Sequence, residues 1–172
     1  MGADVAETLK WYAARTRFGQ ELGIKKTLES LGVECFIPTD FVRNSRGKLV
    51  QKALVNNLVF LRTTKKQGLD LVNYKGLPMN YIIDCATHTL MVVPDKQMED
   101  FIRVFDVSRD DDDGMIMETI APGSRVTVTK GPLKGVEGIV IEDEGKTYVA
   151  VGLDGLVYAR ARVPKAWISF VS

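Results

Sequence analysis

Apolar and polar positions along the first hundred residues follow the two periods that distinguish strands from helices. Residues 9–17 contain Trp11 and Tyr12, and aromatic residues of this kind favour a strand. Residues 19–31 repeat aliphatic side chains at helical spacing before Gly32, which predicts an amphipathic helix that ends at this glycine. Further strands are predicted at residues 33–38, 54–63, 81–84 and 90–93, and a short helix at residues 67–74.

Two more segments complete the N-terminal pattern. Residues 41–52 contain the turn formers Asn44, Ser45 and Gly47, which predict a hairpin. Asp95 is predicted to cap a helix with an apolar stripe, which we interpret as packing. The stripe consists of Met98, Phe101, Ile102 and Phe105. Strands interspersed with helices predict an α+β fold, in which an N-terminal α/β sandwich has a mixed sheet flanked by helices.

The pattern changes in the last third of the chain to short alternating stretches separated by glycines. Residues 122–140 read PGSRVTVTKGPLKGVEGIV, in which Val126 and Val128 face one way and Gly131-Pro132 turn the chain. Five short strands are predicted in all, at residues 125–129, 139–142, 146–153, 156–160 and 162–171. The glycine and valine spacing resembles the KOW motif, which implies a small SH3-like β-barrel over residues 119–172. A barrel of this size is expected to bind a partner, because its core is too small for an enzyme cleft.

Charge marks the boundary between the two patterns. Fifteen basic and eleven acidic residues precede residue 106, whereas residues 106–118 hold six acidic residues and one basic residue. A stretch with this composition cannot bury itself. Residues 107–118 are therefore predicted to form a flexible acidic linker between a domain at residues 1–106 and the barrel. The aspartates at residues 110–113 lack the alternating spacing of a calcium loop, so no metal site is predicted.

The remaining reactive side chains do not form a recognisable catalytic set. His88 is the single histidine and has no nucleophilic or acidic partner at a recognisable spacing. Cys35 and Cys85 lie far apart and are interpreted as reduced thiols. The sequence also shows no secretory signal and no apolar run of membrane-spanning length. We therefore expect a cytoplasmic, monomeric protein that is not an enzyme, needs no cofactor and does not contact membranes.

Several segments before the acidic stretch resemble, in combination, the N-terminal (NGN) domain of the NusG family. They are KWYAARTRFGQE from Lys10, the helix that follows, FIPT from Phe36, the basic hairpin, and LVNNLVFL from Leu54. A KOW barrel after an acidic linker is also usual in this family, so the resemblance extends from about Lys10 to Val171. It implies a transcription elongation factor that binds RNA polymerase through its N-terminal domain and suppresses pausing or termination without making or breaking a bond.

The resemblance also implies three sets of binding residues. The RNA polymerase contact is expected at Val55, Leu58 and Phe60. Contacts with upstream or non-template DNA are expected at Arg15, Arg17, Arg43, Arg46 and Lys48, through phosphate groups. The KOW barrel is expected to bind a ribosomal protein or a termination factor through Leu133 and Leu156.

One segment departs from the family pattern. The family commonly has an aromatic-rich segment with proline and tyrosine where residues 55–60 of this chain read VNNLVF. The departure indicates a specialised antitermination paralogue of the RfaH or UpxY type. The alternative function is that of a ribosome-associated or RNA-binding KOW protein, because KOW barrels also occur in ribosomal proteins. A net charge of +1 is modest for that class, however, and the N-terminal domain would have no explanation.

Overall fold

The computed structural model describes residues 8–17, 19–53, 57–109, 115–117, 123–153 and 155–171. The chain divides into two compact units, Met1–Asp95 and Lys96–Ser172. Helices and antiparallel sheets occur together, which confirms the predicted α+β class. The first unit ends at Asp95, whereas the N-terminal domain was predicted to end at residue 106. The limits of that domain stay a prediction.

The elements of the first unit follow in chain order. They are β1 (Lys10–Thr16), α1 (Glu21–Ser30), β2 (Glu34–Phe36), β3 (Thr39–Arg43), β4 (Leu49–Ala53), β5 (Leu58–Thr63), α2 (Lys65–Asn73), β6 (Met79–Tyr81), β7 (Ile83–Asp84), β8 (Thr89–Leu90) and β9 (Val92–Val93). Helix α3 (Asp95–Arg109) begins at the boundary. The strands after it are β10 (Met115–Met117), β11 (Arg125–Val128), β12 (Glu137–Asp143), β13 (Lys146–Gly152), β14 (Tyr158–Arg162) and β15 (Ile168–Phe170), with a 3-10 turn at Lys165–Trp167.

Strand β1 lies at the centre of the N-terminal sheet. The strand order is β2-β5-β1-β6, and β9 also pairs with β1. Strand β5 lies between β1 and β2 and pairs antiparallel with both, although β1 and β2 are connected along the chain by α1. The pairs that the described residues form in this sheet are all antiparallel, which differs from the predicted mixed sheet. Sequence order did not show that a later strand separates the first two. On one side of the sheet Tyr12, Val59 and Leu61 pack with Ile24 and Leu28 of α1.

Helix α1 ends in a Schellman motif. The Gly32 N–H donates to the Glu29 carbonyl at 3.1 Å, and the Val33 N–H donates to the Leu28 carbonyl at 2.9 Å. Gly32 has a φ of 73°, a left-handed conformation that glycine adopts without a Cβ penalty. Val33 and Leu28 belong to the same buried cluster. These contacts confirm the predicted end of the helix at this glycine.

The second unit contains a six-stranded sheet of order β10-β14-β13-β12-β11-β15, in which all the pairs are antiparallel. Strands β11, β12 and β13 each pair with the next strand in sequence, as the alternating stretches and the turns between them predict. Gly138 shows how closely the strands approach, because an added Cβ there would lie 2.4 Å from the Ala150 carbonyl oxygen. The five strands expected between residues 125 and 171 are confirmed, while their identity as an SH3-like KOW barrel stays a prediction.

The acidic segment differs at both ends from the predicted linker. Helix α3 continues to Arg109, and Ser108 is buried with its hydroxyl donating to the Phe105 carbonyl at 2.8 Å. Met115–Met117 form β10 and pair with β14. The average charge of the segment conceals this apolar triplet, whose backbone groups are paired with β14. Residues 110–114 and 118 lie outside the described residues.

Candidate interaction surfaces

The basic hairpin consists of β3, β4 and the turn between them. Its cations Arg43, Arg46 and Lys48 are all exposed. The Asn44 side-chain oxygen accepts from the Arg46 N–H at 2.9 Å and from the Lys48 N–H at 3.0 Å, which shapes the turn. The Arg43 guanidinium donates to the Gly47 carbonyl at 2.8 Å. The predicted hairpin is confirmed. Its three cations are exposed at or beside the turn, so a phosphate group could reach them from solvent.

The other two predicted nucleic-acid residues lie at the end of β1. Arg15 and Arg17 are exposed. Arg15 lies in register with Leu58 of β5 on one side and with Asn80 of β6 on the other. The five predicted cations therefore lie on two different sheets or directly beside their strands, and a common nucleic-acid surface stays a prediction.

A buried carboxylate, which the sequence did not reveal, braces the chain beside these arginines. Glu21 is 4% exposed, and its Oε1 accepts from the Asn57 N–H at 2.7 Å. The Asn57 carbonyl in turn accepts from the Thr16 N–H at 3.1 Å. Asn57 has a φ of 65°, a conformation that asparagine tolerates better than most residues. Glu21 stands in the first turn of α1, where an acidic residue is ordinarily interpreted as a favourable partner of the helix dipole.

The residues predicted to contact RNA polymerase do not form an exposed patch. Leu58 is 1% exposed and Phe60 is 0% exposed, both on β5. Val55 lies outside the described residues. An aspartate at either buried position would place a charge in the core and destabilise the fold, so such variants do not test binding alone. The predicted role in polymerase binding is a separate matter and stays a prediction.

The two leucines predicted to bind a partner of the second unit differ in exposure. Leu133 is 2% exposed, whereas Leu156 is partly buried beside the turn in which its N–H donates to the Leu153 carbonyl at 2.9 Å. Phe170 and Val171 at the end of the chain are 64% and 48% exposed. The sequence pattern predicted a strand here and did not reveal that these two apolar side chains are exposed.

A polar cluster within the second unit connects α3 to the loop between β11 and β12. We call it the α3–loop cluster. Asp100 is 3% exposed, accepts from the Glu137 N–H at 3.2 Å and has the Lys96 ammonium 2.6 Å away. Lys96 also donates to the Gly135 carbonyl at 3.0 Å. Arg103 donates to two further loop carbonyls, of Pro132 at 2.9 Å and of Lys134 at 2.8 Å. The spacing of Lys96 and Asp100 is typical of an exposed helix pair, so the sequence did not indicate this role.

The titratable groups of the first unit include a thiol unsuited to nucleophilic chemistry. Burial, followed by the nearby Glu29 carboxylate, raises the pKa of Cys35 to about 11, which keeps the sulfur protonated at neutral pH. Burial also raises the pKa of Tyr81, whose hydroxyl donates to the Gly68 carbonyl at 2.6 Å. His88 is exposed with a φ of 57°. Within the described ranges, histidine, cysteine and carboxylate side chains do not cluster in threes as metal ligands would.

Helices long and apolar enough to cross a membrane do not occur in the part of the chain that the structure describes.

Comparison with known proteins identifies the family of the N-terminal part of the chain. The family model described as "Transcription termination factor nusG" matches residues 9–102. No curated protein matches the chain. The matched residues include the whole N-terminal sheet, both of its helices and the first half of α3. Factors of this kind are non-enzymatic and interact with RNA polymerase. The chain belongs to the NusG family and contains its NGN domain.

Proposed function

We propose that this protein is a transcription elongation factor that binds RNA polymerase through its N-terminal domain and suppresses pausing or termination. The observation that carries the proposal is the family match over residues 9–102, which coincides with the N-terminal sheet and its helices. The departure of residues 55–60 from the family pattern adds the narrower proposal of a specialised antitermination factor of the RfaH or UpxY type, acting in the cytoplasm as a monomer.

The proposed mechanism is binding without covalent chemistry. A factor that buries apolar surface against the polymerase clamp helices and bridges the cleft disfavours the open polymerase state that enters pauses. The proposed contact includes Val55, Leu58 and Phe60. Because Leu58 and Phe60 are buried here, their participation requires that they become accessible when polymerase binds.

Phosphate contacts supply the second part of the proposal. The basic hairpin with Arg43, Arg46 and Lys48, and the exposed Arg15 and Arg17, are proposed to contact upstream or non-template DNA. Glu21 supports the proposed phosphate contact indirectly. Its carboxylate accepts from the Asn57 N–H, and the Asn57 carbonyl accepts from the N–H of Thr16, which lies between Arg15 and Arg17. Affinity from such contacts falls with rising salt.

The second unit is proposed to be a KOW barrel that recruits a further partner, a ribosomal protein or a termination factor. The glycine-punctuated loop after β11 and the sequential antiparallel strands support this proposal. Leu156 is a better candidate contact than Leu133, since Leu133 is 2% exposed.

Retention of the full chain by immobilised core RNA polymerase tests the central proposal. We expect retention of the wild type, and we expect Val55→Asp to reduce it at least about tenfold, since one unpaired charge at an apolar contact costs more than about 1.4 kcal/mol. Glu7→Lys serves as a charge-changing control outside the proposed contact. Absence of wild-type retention, with capture of ribosomal RNA from a ribosome preparation instead, would overturn the proposal in favour of a ribosome-associated protein.

A further inference from the structure

Strand β10 lies at one end of the strand order in the second unit. It pairs antiparallel with β14, so that Met115 lies opposite Arg160 and Met117 lies opposite Tyr158. Strands β11 to β15 form a continuous series of pairs without it. The five strands that the sequence pattern predicts for the barrel do not include it either. Strand β10 is therefore an addition to the β14 edge, and its departure would leave the other strand pairs intact.

The direction of the backbone groups of β14 follows from its pairing with β13. The Val163 N–H donates to the Thr147 carbonyl at 3.0 Å, so the backbone groups of Val163 face β13. In an antiparallel ladder, successive residues direct their N–H and carbonyl groups to opposite edges of the strand. The backbone groups of Ala159 therefore face β13 as well, whereas those of Arg160 and Tyr158 face β10.

The same alternation applies to β10. Met115 and Met117 lie opposite the two β14 residues whose backbone groups face outward, so their own N–H and carbonyl groups face β14. The backbone groups of Ile116 face away from β14. Two residues that face each other in this way exchange two hydrogen bonds. Strand β10 thus covers backbone donors and acceptors that would otherwise be open to another peptide backbone.

Two features favour exchange of β10 over permanent pairing. It pairs with β14 at three positions, whereas β13 pairs with β14 at five, and each backbone hydrogen bond contributes little net stability because water competes for both groups. Acidic residues also flank β10 in the sequence, at residues 110–113 and at Glu118, and flanking charge is typical of an edge strand. Residues 118–124 connect β10 to β11, so the pairing is intramolecular and β10 is able to return.

We propose that β10 is an exchangeable strand, which covers the outer edge of β14 in the free protein and leaves it for an extended segment of a protein partner. A series of backbone N–H and carbonyl groups is complementary to another peptide backbone, which is the basis of strand addition at a sheet edge. The partner segment is expected to be extended and apolar, like the sequence Met-Ile-Met of β10 itself. The inference rests on the proposed function in that the second unit recruits a protein. It adds that β10 regulates this recruitment.

Amide hydrogen exchange of the wild-type full chain, followed by NMR, tests whether β10 leaves the sheet by itself. We expect the Tyr158 and Arg160 amides, corrected for intrinsic rates, to exchange at least about tenfold faster than those of Ala159 and Ala161. Departure of β10 exposes the first two amides, while β13 still protects the other two. Equal protection of both sets would overturn the inference, because β10 would then leave only when the whole sheet opens.

Peptide binding tests whether the vacated edge accepts a strand. The probe is a fluorescein-labelled peptide with the sequence of residues 113–119, and its anisotropy is measured with full-length variants. Met117→Pro removes an N–H that faces β14, whereas the matched control Ile116→Pro removes one that faces away. We expect the probe to bind the Met117→Pro chain at least about fivefold more tightly than the wild type, and the Ile116→Pro chain within about twofold of the wild type.

Backbone N-methylation of the probe distinguishes strand pairing from apolar contact, because it blocks an N–H and keeps the side chain. At the residue equivalent to Met117 it is expected to weaken binding to the Met117→Pro chain at least about fivefold, and at the residue equivalent to Ile116 less than about twofold. Failure of the Met117→Pro chain to bind the probe at about 1 mM would overturn the inference, as would an equal gain in both proline variants. Polymerase takes no part in these assays, so absence of wild-type retention by polymerase would count against the proposed function alone.

Discussion

Each compact unit contains a buried carboxylate that accepts a hydrogen bond from the backbone of a distant segment. In the first unit Glu21, 4% exposed, accepts from the Asn57 N–H at 2.7 Å. In the second unit Asp100, 3% exposed, accepts from the Glu137 N–H at 3.2 Å and also has the Lys96 ammonium 2.6 Å away. The two carboxylates fix loops in the same way, but Asp100 adds an ion pair to the hydrogen bond.

The cost of removing each carboxylate depends on which of its partners are then left without an acceptor or a counter-ion. Loss of Glu21 leaves a backbone amide without its acceptor. Loss of Asp100 also leaves a backbone amide without its acceptor, and it removes the counter-ion of Lys96, which keeps its bond to the Gly135 carbonyl. Each unit also contains one of the two tryptophans, Trp11 in β1 and Trp167 before β15. Variants with a single tryptophan therefore report on each unit separately.

The largest expected effect is that of Asp100→Ala. We expect it to lower the free energy of unfolding of the second unit by about 3 kcal/mol, because it leaves the Glu137 N–H without its acceptor and removes the buried partner of Lys96, whose side chain is 55% exposed. Urea unfolding followed through Trp167 fluorescence, in a Trp11→Phe background, measures this change. Trp167 suits the purpose because its ring lies against Gly131, in the loop that Arg103 holds. Glu99→Ala, an exposed neighbour on α3, is the control, and an equal loss in both variants would contradict the assignment.

Glu21→Ala is expected to have a smaller effect on the first unit. We expect a loss of about 2 kcal/mol, from the unsatisfied Asn57 amide, and less than about 1 kcal/mol for Glu21→Gln, whose amide oxygen still accepts the bond. The measurement is urea unfolding followed through Trp11 in a Trp167→Phe background. Glu29→Ala on the exposed face of α1 is the control. A loss from Glu21→Ala larger than that from Asp100→Ala would reverse the comparison.

Neither carboxylate was predicted from the sequence, for a physical reason. Glu21 and Asp100 each stand on a helix, where acidic residues are common and usually exposed. Their burial depends on Asn57 and Glu137, which lie 36 and 37 residues away and approach only in the folded chain. Local spacing carries no information about such contacts.

The two sheets differ in predictability for the same reason. Strands β11 to β14 pair with their sequence neighbours, so turn signals such as Gly131-Pro132 predicted them. In the first unit β5 lies between β1 and β2, an order that local patterns do not specify. The candidate surfaces follow this rule as well. The basic hairpin was predicted from its turn residues, whereas the burial of Leu58 and Phe60 depends on packing from both sides of the sheet.

Alkaline pH provides a third way to separate the units, because both cysteines lie in the first. Burial and then the Glu29 carboxylate raise the pKa of Cys35 from 9.0 to about 11. The folded thiol therefore keeps its proton in a range where the unfolded thiol loses it, so stability falls as the pH rises from about 9 to 11. We expect a fall of about 1–2 kcal/mol for the first unit, since partial exposure weakens the full effect.

Unfolding followed through Trp11 at several pH values measures the alkaline effect. Cys35→Ala is expected to flatten the profile below pH 10, whereas Cys85→Ala, at an exposed position, is expected to leave it unchanged. Burial also raises the pKa of Tyr12 and of Tyr81, so some decline is expected to remain at higher pH in the Cys35 variant. An unchanged slope in that variant would assign the alkaline loss to the tyrosines instead.

The smallest expected effects come from two arginine pairs, one in each sheet. Arg62 lies 3.6 Å from Glu34, with side chains 37% and 60% exposed, whereas Arg160 lies 3.1 Å from Asp143 and has a side chain only 10% exposed. The Arg160 guanidinium also lies 4.0 Å from the centre of the Tyr148 ring. We expect Glu34→Gln to cost less than about 0.5 kcal/mol and Asp143→Asn about 1 kcal/mol.

Salt concentration sharpens this last comparison. Solvent screens the Glu34 pair, so the small loss from Glu34→Gln is expected to vanish in 1 M salt. The Asp143 pair is expected to keep most of its effect, because the burial of Arg160 limits screening and the ring contact holds the guanidinium in place. Urea unfolding of both variants at low and high salt, each followed through the tryptophan of its own unit, measures the difference. Equal salt dependence in the two units would contradict this expectation. It would show that burial of Arg160 does not protect the pair from screening by salt when Asp143 is 50% exposed.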